Sequence, residues 1–583
     1  MQSFLQYLLP PCLPSRGRKG AAAASTEPAA RTAKPALSAC LLTLLAASAF
    51  AQTASFPKPD YFRQVFERTH TRVELMNPAR LKDFVVNGKF ELSLKDYLEL
   101  VMANNTDIQV TYLSVETPRN NITAAYGAWD PTAVASFSST RVTSVATNPS
   151  QAVDASLGST SKSLYQPFSL SYNQLLDSGT SYQVSFGGAK DSFSNSYSSY
   201  NPSITSSMSF QVSQSLIRNR GRYVNRIPLM TAQSTYKRAE YNLRANLLGW
   251  VNNAEGVYWK LVSARENVRV QEKARDTAKA NLDFVQKQLD LGAVSPLDIY
   301  NPQGQLAGAE LSLSQAKFAL QQAEDALRHQ IGVDLDPDLR SLPVEVTEAV
   351  DLSMTGIDLD PEREVQKALV NNPSVKAATQ ALDIDDLGIR SAHNGLLPDL
   401  SFTASYAGAG QGGIYTSSGA ALLGGGPAVV VPGGLGDALG QMFGLNNPTY
   451  MGSVKLTLPI RSRTASMNLA NALVAKKTDA LNLRNVEQST RLSVLTAIST
   501  VNGAVESLRL AKIQEDLQHK NYDAEVEKYT LGTDINQNVV IALQNWVVAQ
   551  SAVVSAQVNL RMSILNLYTQ TGELLDERGI IVK

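Results

Sequence analysis

The chain of 583 residues has only two cysteines, Cys12 and Cys40, and four scattered histidines, His70, His329, His393 and His519. No two histidines share the i, i+4 spacing of a helical metal site, and no cysteine lies near to help them. Neither a phosphate-binding Walker sequence nor a nucleophile elbow occurs. One dinucleotide-like spacing exists, Gly408, Gly410 and Gly413 in GAGQGG, but no helical pattern follows it, and a phosphate site needs a helix N-terminus. These are read as loop glycines. Formal net charge is zero and no basic stripe is present, which argues against nucleic acid as a partner. The reading is therefore of a protein that is not an enzyme and carries no cofactor and no metal.

Proline is missing where it matters. None lies between Pro228 and Pro296, and none follows Pro459. Helices of about 60 residues fit those intervals, and at a rise of 1.5 Å each would span roughly 90 Å, deeper than a single globular core.

Long apolar runs are scarce too. The strongest, Ala36 to Gln52, follows Arg31 and Lys34 and ends on the triplet Ala49, Phe50, Ala51, the order of a secretory signal cleaved after Ala51. A transmembrane helix is the weaker alternative, since the run is short and carries Ser and Thr. LSAC, Leu37 to Cys40, looks like a lipoprotein signal, but the apolar region follows Cys40 when it should precede it. Both cysteines fall before the expected cut, so the mature chain has no disulfide or thiolate chemistry. Removing residues 1–51 takes five basic residues and one acidic residue from 52 of each, leaving 47 against 51.

What is present is written twice. ANNTDI, with Asn104 and Asn105, returns as VNNPSV, with Asn371 and Asn372; SLIRNR at Ser215 returns as LPIRSR at Leu458; and LGAVSPLDI at Leu291 returns as LGTDINQNV at Leu531. After each turn a helix stays in register: Leu306, Leu313, Leu320 and Leu327 match Trp546, Val553, Leu560 and Leu567, with small residues between them. Steps of three and four over three heptads describe a coiled-coil seam. Each copy closes on a glycine, Gly332 or Gly572, read as a helix C-cap.

Between the helical arms the period changes to two. Ile204, Met208, Phe210 and Val212 alternate with Ser and Gln, as do Leu400, Phe402 and Tyr406, and Val454, Leu456 and Leu458. One apolar face and one polar face describe strands of a barrel with lipid outside and water inside. Tyr165, Tyr172, Tyr182, Tyr197, Tyr200 and Tyr406 suit an interfacial girdle, or ordinary strand packing. Val142 to Pro202 and Gly408 to Asn447 read as long solvent loops, although Phe168 to Phe186 offers an additional hairpin turning near Ser178 and Gly179. Four strands per chain cannot close a barrel, and open edges do not survive in lipid, so the chain must oligomerise.

The order of these motifs, together with GVYWKL at Gly256 to Leu261, resembles the TolC-like outer membrane efflux protein family from about Leu92 to Gly572. The expected fold is an α+β membrane protein, a long α-helical coiled-coil barrel plus a transmembrane β-barrel shared between three chains, built from two helix-strand-strand-helix repeats. The expected divisions are 1–51 extension and signal, 52–91 periplasmic segment, 92–333 first repeat with strands about 132–216, 334–360 linker, 361–573 second repeat with strands about 399–458, and 574–583 tail. The resemblance implies a homotrimer with 12 strands and 12 tunnel helices. It further implies an outer-membrane exit duct for small molecules or proteins, with its barrel in outer-membrane lipid and its helices in the periplasm. A periplasmic adaptor and an inner-membrane pump would dock at the tip turns 291–298 and 531–538. Gly292, Ser295, Asp298, Gly532, Asp534 and Asn538 are the expected tip residues. Some relatives carry an aspartate six residues after the second glycine, where this chain has Asn538; Asp298 takes that place in the first turn, either as part of a cation-favouring ring with Asp534 or as a helix N-terminal carboxylate. Pro302 removes a backbone bond to Asp298, read as a kink in that arm or a harmless first-turn proline. The alternatives are a coiled-coil envelope protein without a pore and an exported hydrolase.

Overall fold

The structure is a computed structural model that describes residues 81–86, 89–145, 160–194, 199–333, 337–348, 359–416 and 429–582. The expected signal region, with Cys12 and Cys40, lies outside the described residues, as do His70 and Tyr197.

Strands β1 (Val85–Val86) and β2 (Lys89–Leu92) lead into helices α1 (Leu94–Asn104), α2 (Thr106–Leu113) and α3 (Glu116–Tyr126). Five strands follow: β3 (Thr132–Phe137), β4 (Thr140–Val145), β5 (Thr160–Leu175), β6 (Thr180–Phe193) and β7 (Tyr200–Ser215). One turn of helix, α4 (Arg222–Asn225), precedes α5 (Ile227–Asp290), and α6 (Tyr300–Gln330) returns beside it. Then come α7 (Pro337–Arg340), β8 (Val344–Val346), α8 (Pro361–Asn371) and α9 (Pro373–Gly395). The chain finishes with β9 (Asp399–Thr416), β10 (Val430–Val431), α10 (Leu435–Phe443), β11 (Pro448–Thr457), α11 (Arg463–Thr530), α12 (Asn536–Thr571) and α13 (Leu574–Glu577).

The proline-free intervals become α5 with 64 residues and α11 with 68, each about 100 Å long at helical rise. Neither is stable by propensity alone; each is held by the arms packed along it. Val268 of α5 meets Leu313 and Ala316 of α6. On the other hairpin Val494, Ile498 and Val501 of α11 share a core with Ala556, Leu560 and Leu567 of α12. Val558 and Leu565 on another face of α12 belong to the core built on α5. Packing on both sides explains why α12 is the one described helix long and apolar enough to pass for a membrane span.

The doubled asparagines have a structural role. Asn105 caps α2, its Oδ1 accepting from the N–H groups of Asp107 and Ile108 at 2.9 and 3.2 Å, while its Nδ2 donates to the Gln330 carbonyl at 3.1 Å. Asn372 caps α9 through the Ser374 N–H at 2.9 Å and donates to the Gln570 carbonyl at 3.1 Å. Each asparagine thus satisfies the start of one helix and the end of another, beside a left-handed glycine, Gly332 (φ 72) or Gly572 (φ 81). A Cβ at Gly572 would stand 3.1 Å from Asn372 Cα, so the closeness also requires glycine. Asn105→Ala and Asn372→Ala are each expected to cost about 1–2 kcal/mol, read by thermal unfolding in detergent. Asp at either position keeps the cap but not the donated bond, and should regain only part of the loss.

Between the arms, Phe90, Leu92, Tyr97, Tyr258, Trp259, Leu327, Leu574 and Leu575 are buried in one core. Glu255 lies inside it, its side chain 2% exposed, and accepts from Arg578 Nε at 2.9 Å, from an Arg578 terminal nitrogen at 2.6 Å and from Trp259 Nε1 at 3.2 Å. The segment 574–578 is therefore clamped to α5. Part of the stretch read as a linker is also structural: β8 pairs parallel with β2, Phe90 opposite Val344, in a sheet of order β1-β2-β8.

The two long-loop readings need correction, and of the two readings of Pro302 the harmless first-turn proline holds. Most of the described part of Val142 to Pro202 is strand, and Gly408 to Thr416 is the upper half of β9. Pro302 is buried and is the third residue of α6, where its missing N–H would have had no helical partner, so it opens the helix and does not kink it.

Candidate functional site

The second sheet has the order β3/β4, β5, β6, β7, β9, β11/β10, antiparallel throughout. Its pairing register sorts the side chains by face. Tyr172, Val184, Phe210, Tyr406 and Tyr450 form one row across five strands, and Leu170, Phe186 and Met208 form the next. Ser171, Ser185, Ser209 and Ala407 lie on the opposite face, with hydroxyls bonded across strands, Ser136 to Ser169 at 2.7 Å and Ser185 to Ser209 at 2.6 Å. Because side chains alternate strictly along a strand, this register makes one face apolar and aromatic and the other hydroxyl and amide. Tyr165 departs from Tyr172, Tyr182 and Tyr406 and shares the polar face with Ser163, and Tyr200 stands opposite Tyr415 beyond a shift in register.

Helix α10 lies against the apolar face where β9 has Gly408, Gly410 and Gly412. A Cβ at Gly410 would come within 1.8 Å of the Ala438 carbonyl oxygen, and one at Gly412 within 2.0 Å of the Gly434 oxygen. Ser206 Oγ donates to the same Ala438 carbonyl at 2.8 Å. Beyond the end of β11, the Gln441 side chain completes the edge of β9, its Oε1 accepting from Gln411 N–H at 3.2 Å and its Nε2 donating to Gln411 O at 2.9 Å. The GAGQGG run is a seat for a helix.

At the far end of the long arms the two turns close alike. Gly292 (φ 72) donates to Leu289 O and Ala293 to Gln288 O, at 2.9 and 2.8 Å; Gly532 (φ 74) donates to Tyr529 O and Thr533 to Lys528 O, both at 3.0 Å. This double closure is the Schellman arrangement and places glycine where φ must be positive. The turns then diverge. Asp298 Oδ2 accepts from Ser295 N–H at 3.0 Å, just ahead of α6. In the second turn Asp534 Oδ1 accepts from Ile535 N–H and from Asn538 Nδ2, both at 2.7 Å. The Ile535 N–H chiefly, helped by Glu525 and Asn538, holds the Asp534 carboxyl below its ordinary range. Leu291, Leu297, Leu531 and Ile535 stand exposed around these polar groups.

The hairpins are tied together near this end by residues that pattern reading passes over. Tyr529 OH donates to Gln288 Oε1 at 2.7 Å, Asn536 Nδ2 donates to Asn281 Oδ1 at 2.9 Å, and Phe284 meets Tyr529 edge-on at 6.0 Å. Burial, and secondarily the charge of Asp298, push the Tyr529 hydroxyl pKa up, so it stays a donor. Of the seam positions, Leu313, Leu327, Leu560 and Leu567 are buried and Leu306, Leu320, Trp546 and Val553 half-buried. Trp546 stacks with His519 at 4.4 Å and with Tyr522 at 5.4 Å, and its Nε1 donates to Glu515 at 2.9 Å. An apolar period signals none of these polar ties; only asparagine, glutamine and tyrosine near a helix turn could have suggested them.

Solved structures share this architecture. The Campylobacter jejuni CmeC outer membrane channel is 18% identical, with a TM-score of 0.57 over 86% of this chain and 89% of that one. The open-state Neisseria gonorrhoeae MtrE outer membrane channel is 17% identical (TM-score 0.53, 83% and 89% covered), and the outer membrane protein VceC of Vibrio cholerae 13% identical (0.56, 82% and 96%). At such identities the likeness speaks for the fold alone. No curated protein sequence matches this one. The family model for outer membrane efflux proteins matches residues 97–333 and 365–573, well over half of the chain. The chain belongs to the outer membrane efflux protein family, whose solved relatives are outer-membrane channels.

Proposed function

We propose that three copies of this chain form a passive exit duct, a barrel in the outer membrane continued by a helical tunnel through the periplasm. The observation that carries this reading is a two-faced sheet, apolar on one side and hydroxyl-rich on the other, joined directly to two helices of about 100 Å. A coiled-coil spacer without a pore has no use for such a sheet. Efflux or secretion would be driven by an inner-membrane transporter through a periplasmic adaptor. The tip turns support that partner, since Leu291, Leu297, Leu531 and Ile535 expose apolar surface around Gly292, Ser295, Gly532 and Asp534. Asp298 and Asp534, three of each in a trimer, would favour cations at the gate.

Opening requires the hairpins to part where Gln288–Tyr529 and Asn281–Asn536 hold them. Purified protein in a planar bilayer is expected to conduct weakly and to favour cations. The double variant Tyr529→Phe, Asn536→Ala should raise single-channel conductance severalfold with the amount of folded trimer unchanged. Absence of conductance from both proteins, at full membrane insertion, would refute the duct.

A further inference from the structure

We infer that the wall of this duct has six strand positions per chain, so that three copies close a barrel of 18 strands through a β3–β11 seam. This rests on the trimeric-duct reading. The family resemblance implies 12, four from each chain. Here β3 and β4 lie end to end on one side of β5, and β11 and β10 end to end on the far side of β9. Between them the positions are β5, β6, β7 and β9, and every neighbouring pair is antiparallel.

The added pair is the hairpin β5–β6, and three observations place it within the wall, not across the pore mouth. It is laddered on both sides for most of its length, β5 to β3 and β4 laid end to end and β6 to β7. It keeps the facing of its neighbours: Phe168, Leu170 and Tyr172 fall on the face of Phe210 and Tyr406, and Ser169, Gln183 and Ser185 on that of Ser209. Its turn is anchored where the sheet meets the helices. Asp177 pairs with Arg226 and, at 3.5 Å, with Arg222, and the Gly221 N–H donates to Ser178 O at 3.2 Å. A Cβ at Gly179 would stand 2.4 Å from the Asn219 carbonyl oxygen, so the turn is seated against that corner.

The occupant of the free edges follows from strand sense. With six alternating positions, β3 and β11 run in opposite directions, so β11 of one copy meets β3 of the next as an antiparallel pair. Five or seven positions would force a parallel seam. Inserting a hairpin adds two positions, the smallest widening that keeps that closure. Both edge strands are exposed along their whole length and paired on one side only among the described residues. Unpaired backbone groups are not tolerated in lipid, which makes a second copy of this chain the partner. Barrel diameter grows about linearly with strand number, so the lumen would be about 1.5 times that of a 12-stranded duct. The inserted strands line it with Ser169, Ser171, Gln183 and Ser185, and with Asp191 at the end away from the helices, a wall that is mostly hydroxyl and amide.

Disulfide trapping in whole cells tests the seam, because both native cysteines precede the expected cleavage point. Ser136→Cys on β3 is combined in turn with a cysteine at Met451, Ser453 or Lys455 of β11, all on the polar face. At least one combination should give oxidised dimers and trimers, and strands counted by electron cryo-microscopy of the purified trimer should number 18. Ser136→Cys with Ser207→Cys, on β7, should not link, because three strand spacings separate those strands by about 14 Å. A trimer of 12 strands, or a Ser136–Ser207 link with β3 beside β7, would overturn the inference while leaving the duct standing. A chain that never trimerises would overturn both.

Discussion

Arg578→Ala is expected to cost about 3–5 kcal/mol, because it leaves the Glu255 carboxylate buried without its cation. Glu255 is buried in the middle of α5, and the three bonds it accepts are donated by Arg578 and Trp259. Thermal unfolding of the detergent-solubilised protein should shift strongly downward, and less trimer should reach the membrane. Arg578→Lys keeps the charge but not the two-pronged geometry and should lie between. Replacing both partners with leucine should regain much of the loss, since the cost is that of an unpaired buried charge and not of a missing attraction. Arg509→Ala serves as the control. Its ion pair with Glu506 has both side chains more than half exposed, and its removal should have no measurable effect. An Arg578→Ala protein as stable as that control would sink the clamp.

That pair also marks the limit of pattern reading. The long arms were legible because proline is forbidden in a helix interior, and its absence over two intervals leaves few other structures. Period-two runs exposed β7, lower β9 and β11, since each has one apolar face. Upper β9 was hidden: glycine at 408, 410 and 412 carries no hydropathy, so a strand shaped to accept a helix reads as a loop. Strands β5 and β6 were half hidden among serines, because one face of each carries mostly small polar residues, which leave little hydropathy contrast to read. Glu255 with Arg578, and Gln288 with Tyr529, are separated by more than two hundred residues, and nothing local marks either partner. At the tip, the turns were legible from glycine and helix periodicity. Their asymmetry, Asp298 on a backbone N–H against Asn538 on Asp534, was legible only as a difference in residue type.

Gly410→Val should prevent stable assembly in the outer membrane. The new Cβ would meet the Ala438 carbonyl oxygen at 1.8 Å, and that oxygen is helix backbone, so α10 as a whole must lift from the sheet. Ser206 then loses its acceptor, and Gln411 loses the carboxamide that satisfies both its N–H and its C=O. Each backbone group left open on an apolar wall costs several kcal/mol. Together these losses are comparable with the whole margin of stability of an ordinary domain. Gly452→Val is the matched control, on the same face of β11 and with nothing within 4 Å of its added Cβ. Gel mobility of unheated against heated samples, with the amount of trimer in outer-membrane fractions, separates the two. Folded trimer should be lost with Gly410→Val and kept with Gly452→Val. Equal assembly of both would mean that α10 does not seal the β9 edge, and the side-chain pairing of Gln441 with Gln411 would lose its role.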